Sequence, residues 1–189
     1  GIESIEIPDT VTSIYTYAFY NSSIQSVKIG SGLTGINGCA FDGCDNLTEI
    51  SLPETLTSIG YEAFRDCINL GTIEFPESLI EISGYAFYGC NSLTSIKLPS
   101  NLQTLKYYAF GNCANLQSVW IPKTITNETS CTGSPYYDYY AGPFYGCGKL
   151  KSVTFADGIT NIPSGLFAGC TGIESIEIPD TVTSIYTYA

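Results

Sequence analysis

Cysteine is the residue type in this chain with the widest chemistry, because its thiolate is both a nucleophile and a metal ligand. Six cysteines recur at intervals of 23 residues, with one interval of 34: Cys44, Cys67, Cys90, Cys113, Cys147 and Cys170. In a stacked repeat such cysteines would lie about 4.8 Å apart, within the Cα range of a disulfide. A column of equivalent positions gives no cysteine a preferred partner, however, and no C-x-x-C pair is present to chelate zinc. We therefore expect buried free thiols that act as small hydrophobic groups.

Two further cysteines, Cys39 and Cys131, lie outside this column. Cys131 belongs to a segment that interrupts the regular spacing, so it lacks the shared environment of the other cysteines. Of the two, Cys131 is the candidate for a reactive or paired cysteine, and the sequence leaves open whether Cys39 and Cys131 are free or paired.

Paired carboxylates are the second group that could do chemistry. Glu49 and Glu74 are predicted to lie on one sheet face, one strand apart and two residues offset, at about 7–8 Å. This distance overlaps the carboxylate separation of an inverting glycosidase, about 6.5–9.5 Å. A flat, open face neither raises a carboxyl pKa nor excludes water, and the chain has no histidine for a nucleophilic triad or a metal site. We therefore expect no enzyme, no cofactor and no metal.

Charge limits the possible partners. The formal net charge is −11, and the seven lysines and arginines are scattered singly along the chain. So few cations cannot form the basic stripe that nucleic-acid binding requires, nor bind an anionic membrane surface. The sequence also has no apolar run near the 18 or so residues of a membrane span, so we expect no membrane insertion in this segment.

These residues are positioned by an internal repeat. Its clearest copy, residues 47–67, reads L-x-x-I-x-L-P-x-x-L-x-x-I-x-x-x-A-F-x-x-C. The phenylalanine of the Ala-Phe pair recurs with spacings of 22, 23, 23, 23, 34 and 23, at Phe19, Phe41, Phe64, Phe87, Phe110, Phe144 and Phe167. A unit this short cannot bury its apolar face alone, whereas stacked copies cover one another.

Each copy contains three local signals. The I-x-L-P segment alternates apolar and polar residues and predicts a short strand that proline ends. The L-x-x-I segment fits a second short strand or an extended segment, and A-F-x-x-C fits a helical or 3-10 turn. Eight copies begin, which predicts an elongated solenoid about 40 Å long with a parallel sheet along one side.

The pattern C-x-x-L-x-x-I-x-L-P-x-x-L-x-x-I-x-x-x-A-F-x-x-C resembles the BspA-like class of leucine-rich repeats, found on bacterial surface proteins, and the resemblance covers the whole chain. It implies an α/β, right-handed leucine-rich-repeat solenoid, mostly β with short helical or 3-10 turns, of about eight coils of 23 residues. The family has no shared catalytic residues to transfer. It implies an extracellular or cell-surface location and an adhesion or host-protein-binding role.

The chain reads as a single domain over residues 1–189. Residues 1–18 recur unchanged at 172–189, including the off-consensus Asp9 and Tyr15, which indicates a duplicated block of 171 residues. The pattern requires phenylalanine after Ala189. We therefore expect this chain to be a segment of a longer array.

The outward face of the main strand is one candidate contact surface. Alternation places Trp120 there, and exposed large aromatics mark interfaces. The same face carries the predicted cross-strand ion pairs Glu6–Lys28 and Glu74–Lys97, which are expected to contribute under about 1 kcal/mol each. An ordinary solvated sheet face would show these charge pairs too, so Trp120 is the feature that favours recognition.

An insertion at about residues 127–140 is the second candidate. It carries Tyr136, Tyr137, Tyr139 and Tyr140. Insertions in solenoids often map to the binding face, and tyrosine combines a large rigid ring with a hydroxyl. Tyrosines also occur near the turn of ordinary copies, so these rings could instead only cover the solenoid flank.

The expected function is a non-catalytic cell-surface module that binds an extracellular protein or glycoprotein of a host or matrix. Two alternatives remain open: a structural spacer and a carbohydrate-binding module. A spacer predicts a uniform surface, whereas a binder predicts aromatic residues concentrated at one place.

Overall fold

The computed structural model describes residues 3–125 and 141–189. Over these ranges the chain forms a β-solenoid of about seven turns, each of about 23 residues, with parallel sheets. No helix in the described ranges is long and apolar enough to cross a membrane. The strands are β1 Ser4–Ile7, β2 Ser26–Ile29, β3 Gly35–Ile36, β4 Glu49–Ser51, β5 Ser58–Ile59, β6 Glu81–Ile82, β7 Ser95–Lys97, β8 Thr104–Leu105, β9 Ser118–Ile121, β10 Ser152–Phe155, β11 Asn161–Ile162 and β12 Ser184–Ile185.

Six of the eight I-x-L-P segments form a first row of strands, as predicted, whereas residues 72–75 and 175–178 form no strand. Strands β1, β2 and β4 form one three-stranded sheet, and β7, β9 and β10 form another. Equivalent repeat positions pair in register, so Val27 lies between Ile5 and Ile50. Val119 of β9 pairs with Val153 of β10 on the far side of the insertion. The insertion therefore leaves this row intact.

The L-x-x-I segments form a second row, made of two-residue strands. Strands β3, β5, β6 and β8 form a four-stranded sheet, and β11 pairs with β12. An isolated bridge between Ile14 and Ile36 extends the row toward the N-terminus. Ile36, Ile59, Ile82 and Leu105 pair in register and are buried. The solenoid therefore has a second row of strands besides the predicted sheet. The prediction that L-x-x-I forms a short strand is confirmed.

The A-F-x-x-C segments form turns without a helix in the described ranges, so the predicted helical or 3-10 turns and the α/β class are not confirmed. The residue before Ala and the second residue after Phe have positive φ, as at Tyr85 (57°) and Gly89 (73°). A helix needs an unbroken run of negative φ, so these positions allow only short hydrogen-bonded turns. The same φ sign occurs at Tyr17, Asn21, Cys39, Gly43, Glu62, Asp66, Tyr108, Asn112, Gly165 and Gly169.

A stack of phenylalanine rings runs along the solenoid between the two rows and the turns. Phe41 and Phe64 have ring centroids 5.2 Å apart and an interplanar angle of 2°. The stack continues through Phe87, at 5.1 Å, and Phe110, again at 5.1 Å. These four rings are fully buried. Burial of each such side chain stabilises the fold by about 1.5–3 kcal/mol, so the repeated phenylalanine is the centre of the core.

Candidate binding surface

The column of cysteines supports the turns and is buried throughout. Each Sγ donates a hydrogen bond to the carbonyl oxygen of the phenylalanine in the preceding coil, as between Cys90 and Phe64 at 3.2 Å. The other pairs are Cys44–Phe19, Cys67–Phe41, Cys113–Phe87, Cys147–Phe110 and Cys170–Phe144. The six thiols are free, as is Cys39, so the prediction of buried free cysteines is confirmed. Cys131 lies outside the described residues.

Cys39 belongs to a separate group with Asp42 and Glu62. The ligand atoms of these three side chains lie within 4.8 Å of one another, a spacing that could hold a metal ion. Arg65 already pairs with the Glu62 carboxylate at 3.0 Å. Burial raises the pKa of the Asp42 carboxyl, against the lowering effect of the Arg65 charge. Because the Arg65 guanidinium already balances the negative charge of these carboxylates, we assign no metal to the three side chains.

Trp120 lies on the outward face of β9, as predicted, but its side chain is half-buried. In the sheet it pairs with Lys97 of β7 on one side and Thr154 of β10 on the other. The Lys97 ammonium lies 5.8 Å from the Trp120 ring centroid, a cation–π contact of about 0.5–1 kcal/mol at an exposed site. The ring is therefore less exposed than predicted, because the lysine side chain lies over it.

Only one of the two predicted ion pairs on this face forms. Lys28 and Glu6 are confirmed as a pair at 2.7 Å. The predicted Glu74–Lys97 pair is wrong: no ion pair joins these residues in the described chain, and Lys97 contacts Trp120 instead. Residues 72–75 form no strand, so the strand register that the Glu49–Glu74 distance assumed is absent as well.

The four tyrosines predicted in the insertion, Tyr136, Tyr137, Tyr139 and Tyr140, lie outside the described residues. The described chain resumes at the buried Ala141. Immediately after it, the carbonyl oxygens of Gly142 and Pro143 accept hydrogen bonds from the backbone N–H groups of Tyr108 and Phe110, at 3.0 and 2.8 Å. The chain therefore re-enters the solenoid beside the turn that contains Tyr108.

Tyrosines of the ordinary repeats form a continuous aromatic cluster at the turns, which we call the tyrosine surface. Its members are Tyr61, Tyr85, Tyr88, Tyr107, Tyr108 and Tyr145. Tyr85 is central, with its ring centroid 4.8 Å from Tyr108 and 5.3 Å from Tyr88. Tyr108 in turn lies 5.2 Å from Tyr145, in the turn that follows the insertion. Tyr61 is 45% exposed, and the other five rings are half-buried.

Glycines beneath the rings permit this packing. A Cβ atom at Gly111 would lie 2.7 Å from Tyr108 Cδ1 and 2.9 Å from Tyr88 Cδ2. A Cβ atom at Gly84 would lie 2.9 Å from Tyr107 Cε2. Both distances are shorter than side chains tolerate, so these rings rest directly on glycine backbone.

The tyrosine surface consists of neutral rings and borders Arg65, which is ion-paired with Glu62 and Asp66. Burial raises the pKa of the Tyr61 hydroxyl to about 12 and also raises that of Tyr85, so both hydroxyls stay protonated near neutral pH. The Arg65 guanidinium lies 5.9 Å from the Tyr88 ring centroid, and the Asn112 amide donates a hydrogen bond to the Tyr88 hydroxyl at 2.5 Å. The surface can therefore offer flat apolar area together with hydroxyl donors and acceptors.

Sequence reasoning missed this surface, although a signal was present. Tyrosine recurs just before the Ala-Phe pair at Tyr85 and Tyr108, and just after the repeated phenylalanine at Tyr88 and Tyr145. Stacking brings equivalent repeat positions into contact. A tyrosine in the same position of consecutive copies therefore predicts a ring-on-ring contact, rather than scattered cover for the flank.

The family comparison matches nearly the whole chain. The family model described as "BspA type Leucine rich repeat region" matches in six copies, over residues 1–70, 34–132 and 139–189. A search of curated protein sequences found no match. The repeat pattern is therefore the feature that this chain shares with other proteins of that family.

Solved structures of bacterial leucine-rich repeat proteins share the fold. The leucine-rich repeat protein of T. pallidum is 26% identical with a TM-score of 0.77, covering 100% of this chain and 87% of that chain. A leucine-rich repeat protein from Bacteroides ovatus is 26% identical with a TM-score of 0.50, covering 99% of this chain and 63% of that one. The pneumococcal vaccine antigen PcpA is 19% identical with a TM-score of 0.56, and the match covers 97% of this chain and 50% of PcpA. At that identity the likeness to PcpA concerns the fold alone.

Proposed function

Because this chain belongs to the BspA type leucine-rich repeat family, we propose that it is a non-catalytic, extracellular binding module of a bacterial surface protein. Its ligand is an extracellular protein or glycoprotein of a host or matrix. The observation that carries the proposal is the tyrosine surface, in which six rings from successive turns form one patch. Tyrosine gives a large contact area at a low cost in conformational entropy, so such a patch suits recognition.

The distribution of aromatic residues favours a binder over a structural spacer. A spacer needs only a soluble and uniform outer surface. Here the ring contacts run without a break from Tyr61 to Tyr145, and the chain leaves the insertion beside them. Exposed aromatic area costs solubility, and a contiguous patch of it marks an interaction site more often than scattered single residues do.

Trp120 and the insertion tyrosines Tyr136, Tyr137, Tyr139 and Tyr140 remain proposed contacts in their own right. Trp120 lies in the first row of strands, whereas the tyrosine surface lies at the turns. The two regions are therefore tested by separate variants: Trp120→Ala, deletion of residues 127–140, and substitutions in the tyrosine surface.

Binding to a panel of immobilised matrix proteins and host-cell glycoproteins tests the proposal. In the double variant Tyr61→Ser and Tyr88→Ser we expect affinity to fall by about tenfold or more, which corresponds to about 1.4 kcal/mol. Tyr15→Ser is the matched control, because Tyr15 is 75% exposed and lies outside the tyrosine surface. Circular dichroism establishes that each variant remains folded. Equal binding by parent and double variant, or equal losses in variant and control, would contradict the proposal.

The same panel separates protein binding from carbohydrate binding. Tyrosine rings also stack against sugars, so a carbohydrate ligand is the second candidate that this surface favours. Enzymatic removal of glycans from the immobilised glycoproteins should leave a protein-directed interaction intact and abolish a sugar-directed one. A glycan array then identifies the sugar in the second case.

A further inference from the structure

The first row of strands opens in the middle of the chain. Strand β4 pairs only with β2, and β7 only with β9. Within the described ranges, residues 71–75 between them make no backbone hydrogen bond to either neighbour. In the second row the same coils remain continuous, since Ser58 pairs with Glu81 and Glu81 with Thr104. The coil thus stays in the stack while its first strand leaves the sheet.

The opened coil carries an aromatic residue in its strand segment. The second apolar position of the I-x-L-P segment holds leucine in both neighbouring copies and phenylalanine at Phe75. The Phe75 ring packs edge-on against Phe87, at 5.6 Å, and against Phe110, at 6.2 Å. Phenylalanine at this position does not by itself open the sheet, because Phe155 holds the same repeat position and pairs with Ile121 between β10 and β9.

The opening leaves strand edges without partners. The outer edge of β4, the free edge of β7 and both edges of residues 72–75 present unpaired N–H and C=O groups, which form a template for another extended chain. A groove of about 500 Å³ lies between residues 49–54 and 72–76. A second groove of about 330 Å³ lies between residues 73–77 and 97–99. The Gly71 backbone faces open space, since no atom lies within 4 Å of the Cβ position.

Carboxylates line the larger groove. Glu49, Glu54 and Glu74 are exposed there, and none of them belongs to an ion pair in the part of the chain that the structure describes. The formal net charge of −11 adds to the negative potential around them. This groove therefore attracts a cationic ligand over a neutral or anionic one.

We infer that the opening at Phe75 binds an extended, cationic peptide segment of a partner protein by strand addition. The peptide backbone pairs with the free edge of β4 or of residues 72–75. Alternate side chains of an extended peptide point to one face, where lysine or arginine would meet Glu49, Glu54 and Glu74. Main-chain pairing supplies the affinity, and the carboxylates select the charge. The inference does not depend on the tyrosine surface.

Three synthetic peptides test both parts of this inference. The first alternates threonine and lysine, the second alternates threonine and glutamate, and the third is the lysine peptide with N-methyl groups on alternate residues. Fluorescence anisotropy with the intact chain should show binding of the first peptide only. We expect the second and third to bind at least about tenfold more weakly. Absence of binding by the lysine peptide, or equal binding by its N-methylated form, would overturn strand addition.

Two sets of variants locate the site. Thr72→Pro removes one of the unpaired N–H groups of residues 72–75 and should weaken the lysine peptide by about tenfold or more. The combined substitution of Glu49, Glu54 and Glu74 by Gln keeps the opening and should weaken binding by about tenfold at low salt. Tyr61→Ser is the control and should bind the peptide normally. Unchanged peptide binding in both sets would overturn the assignment of the site.

Discussion

The thiol of Cys90 donates a hydrogen bond to the carbonyl oxygen of Phe64 across 3.2 Å, and both residues are fully buried. The same oxygen accepts a second hydrogen bond, from the backbone N–H of Cys67 at 3.3 Å. A carbonyl has two lone pairs, so the thiol satisfies the one that the turn leaves free. Because the contact recurs in six coils, the cysteine column acts as a structural link between successive turns.

Removal of one such thiol should lower stability. We expect Cys90→Ala to decrease the free energy of unfolding by about 1–3 kcal/mol, through the lost hydrogen bond and the small cavity left behind. Cys90→Ser has a side chain close in size to that of Cys90→Ala but keeps a hydrogen-bond donor. We therefore expect Cys90→Ser to lose less stability than Cys90→Ala. Urea unfolding measures both, and equal losses in the two variants would show that the hydrogen bond contributes nothing.

Alkaline pH should destabilise the fold through the same thiols. Burial raises the pKa of Cys67 and Cys113 above the ordinary value of 9.0, and also that of Cys90, so the folded state keeps protons that the unfolded chain releases. The protonated thiols therefore contribute fully to the free energy of unfolding below about pH 9. Above that pH the free energy of unfolding falls by up to about 1.4 kcal/mol per pH unit for each thiol.

Urea midpoints measured from about pH 8 to about pH 10 check this dependence. The raised pKa values of Tyr61 and Tyr85 act in the same direction, so the comparison with Cys90→Ala isolates one thiol. That variant should lose stability less steeply with pH than the parent. If the urea midpoints of the parent and of Cys90→Ala fell equally with pH, the Cys90 thiol would not be a source of the pH dependence.

Gly89 should be intolerant of a side chain. Its φ of +73° lies in the left-handed region, and a Cβ atom there would overlap Asp66 Oδ1 of the preceding turn. We expect Gly89→Ala to cost about 1–3 kcal/mol in the free energy of unfolding. Gly71→Ala is the control, because its Cβ would have no atom within 4 Å. Asp66→Gly combined with Gly89→Ala should recover the steric part of the loss in thermal unfolding, and no recovery would refute the clash.

Gly111→Ala should disturb the tyrosine surface while every hydroxyl remains present. The added methyl would contact Tyr108 and Tyr88 at 2.7 and 2.9 Å, so both rings must move. We expect a weaker interaction with the ligand found in the binding panel, by about tenfold, and an altered near-UV circular dichroism spectrum. Gly148→Ala, whose nearest contact would be Thr171 Oγ1 at 3.7 Å, should change neither. Unaltered binding by Gly111→Ala would argue against the tyrosine surface as the contact region.

The core could be predicted from the sequence because a solenoid repeats its own neighbours. The 23-residue spacing places each phenylalanine on the next, and the rings of Phe64 and Phe87 are indeed stacked at 5.1 Å. The same argument placed the cysteines in one buried column. It could not supply their partners, since the carbonyl oxygen that accepts from Cys90 belongs to a backbone turn whose shape had first to be known.

The helical form predicted for the turn is not confirmed. Glycine, asparagine or aspartate at the second position after Phe, as at Gly89 and Asn112, does signal a left-handed residue. The residue before Ala gives no such signal, because Tyr85 and Glu62 have types that rarely adopt positive φ. Their conformation is imposed by the stack, through backbone hydrogen bonds such as that from Glu62 N to Gly84 O at 3.1 Å.

The repeat period was enough to establish the stacked architecture, the two apolar segments of each coil and the buried thiols, because each depends only on which position meets its equivalent in the next coil. Three-dimensional packing was needed for the joining of Tyr85, Tyr88 and Tyr108 into one surface, and for the opening of the sheet at Phe75. In the sequence pattern residues 72–75 and 152–155 are equivalent, and both end on phenylalanine. Residues 152–155 nevertheless pair in the sheet, whereas residues 72–75 form no strand. A pattern records residue types, but pairing depends on the distance between neighbouring backbones, which only the packing of the coils sets.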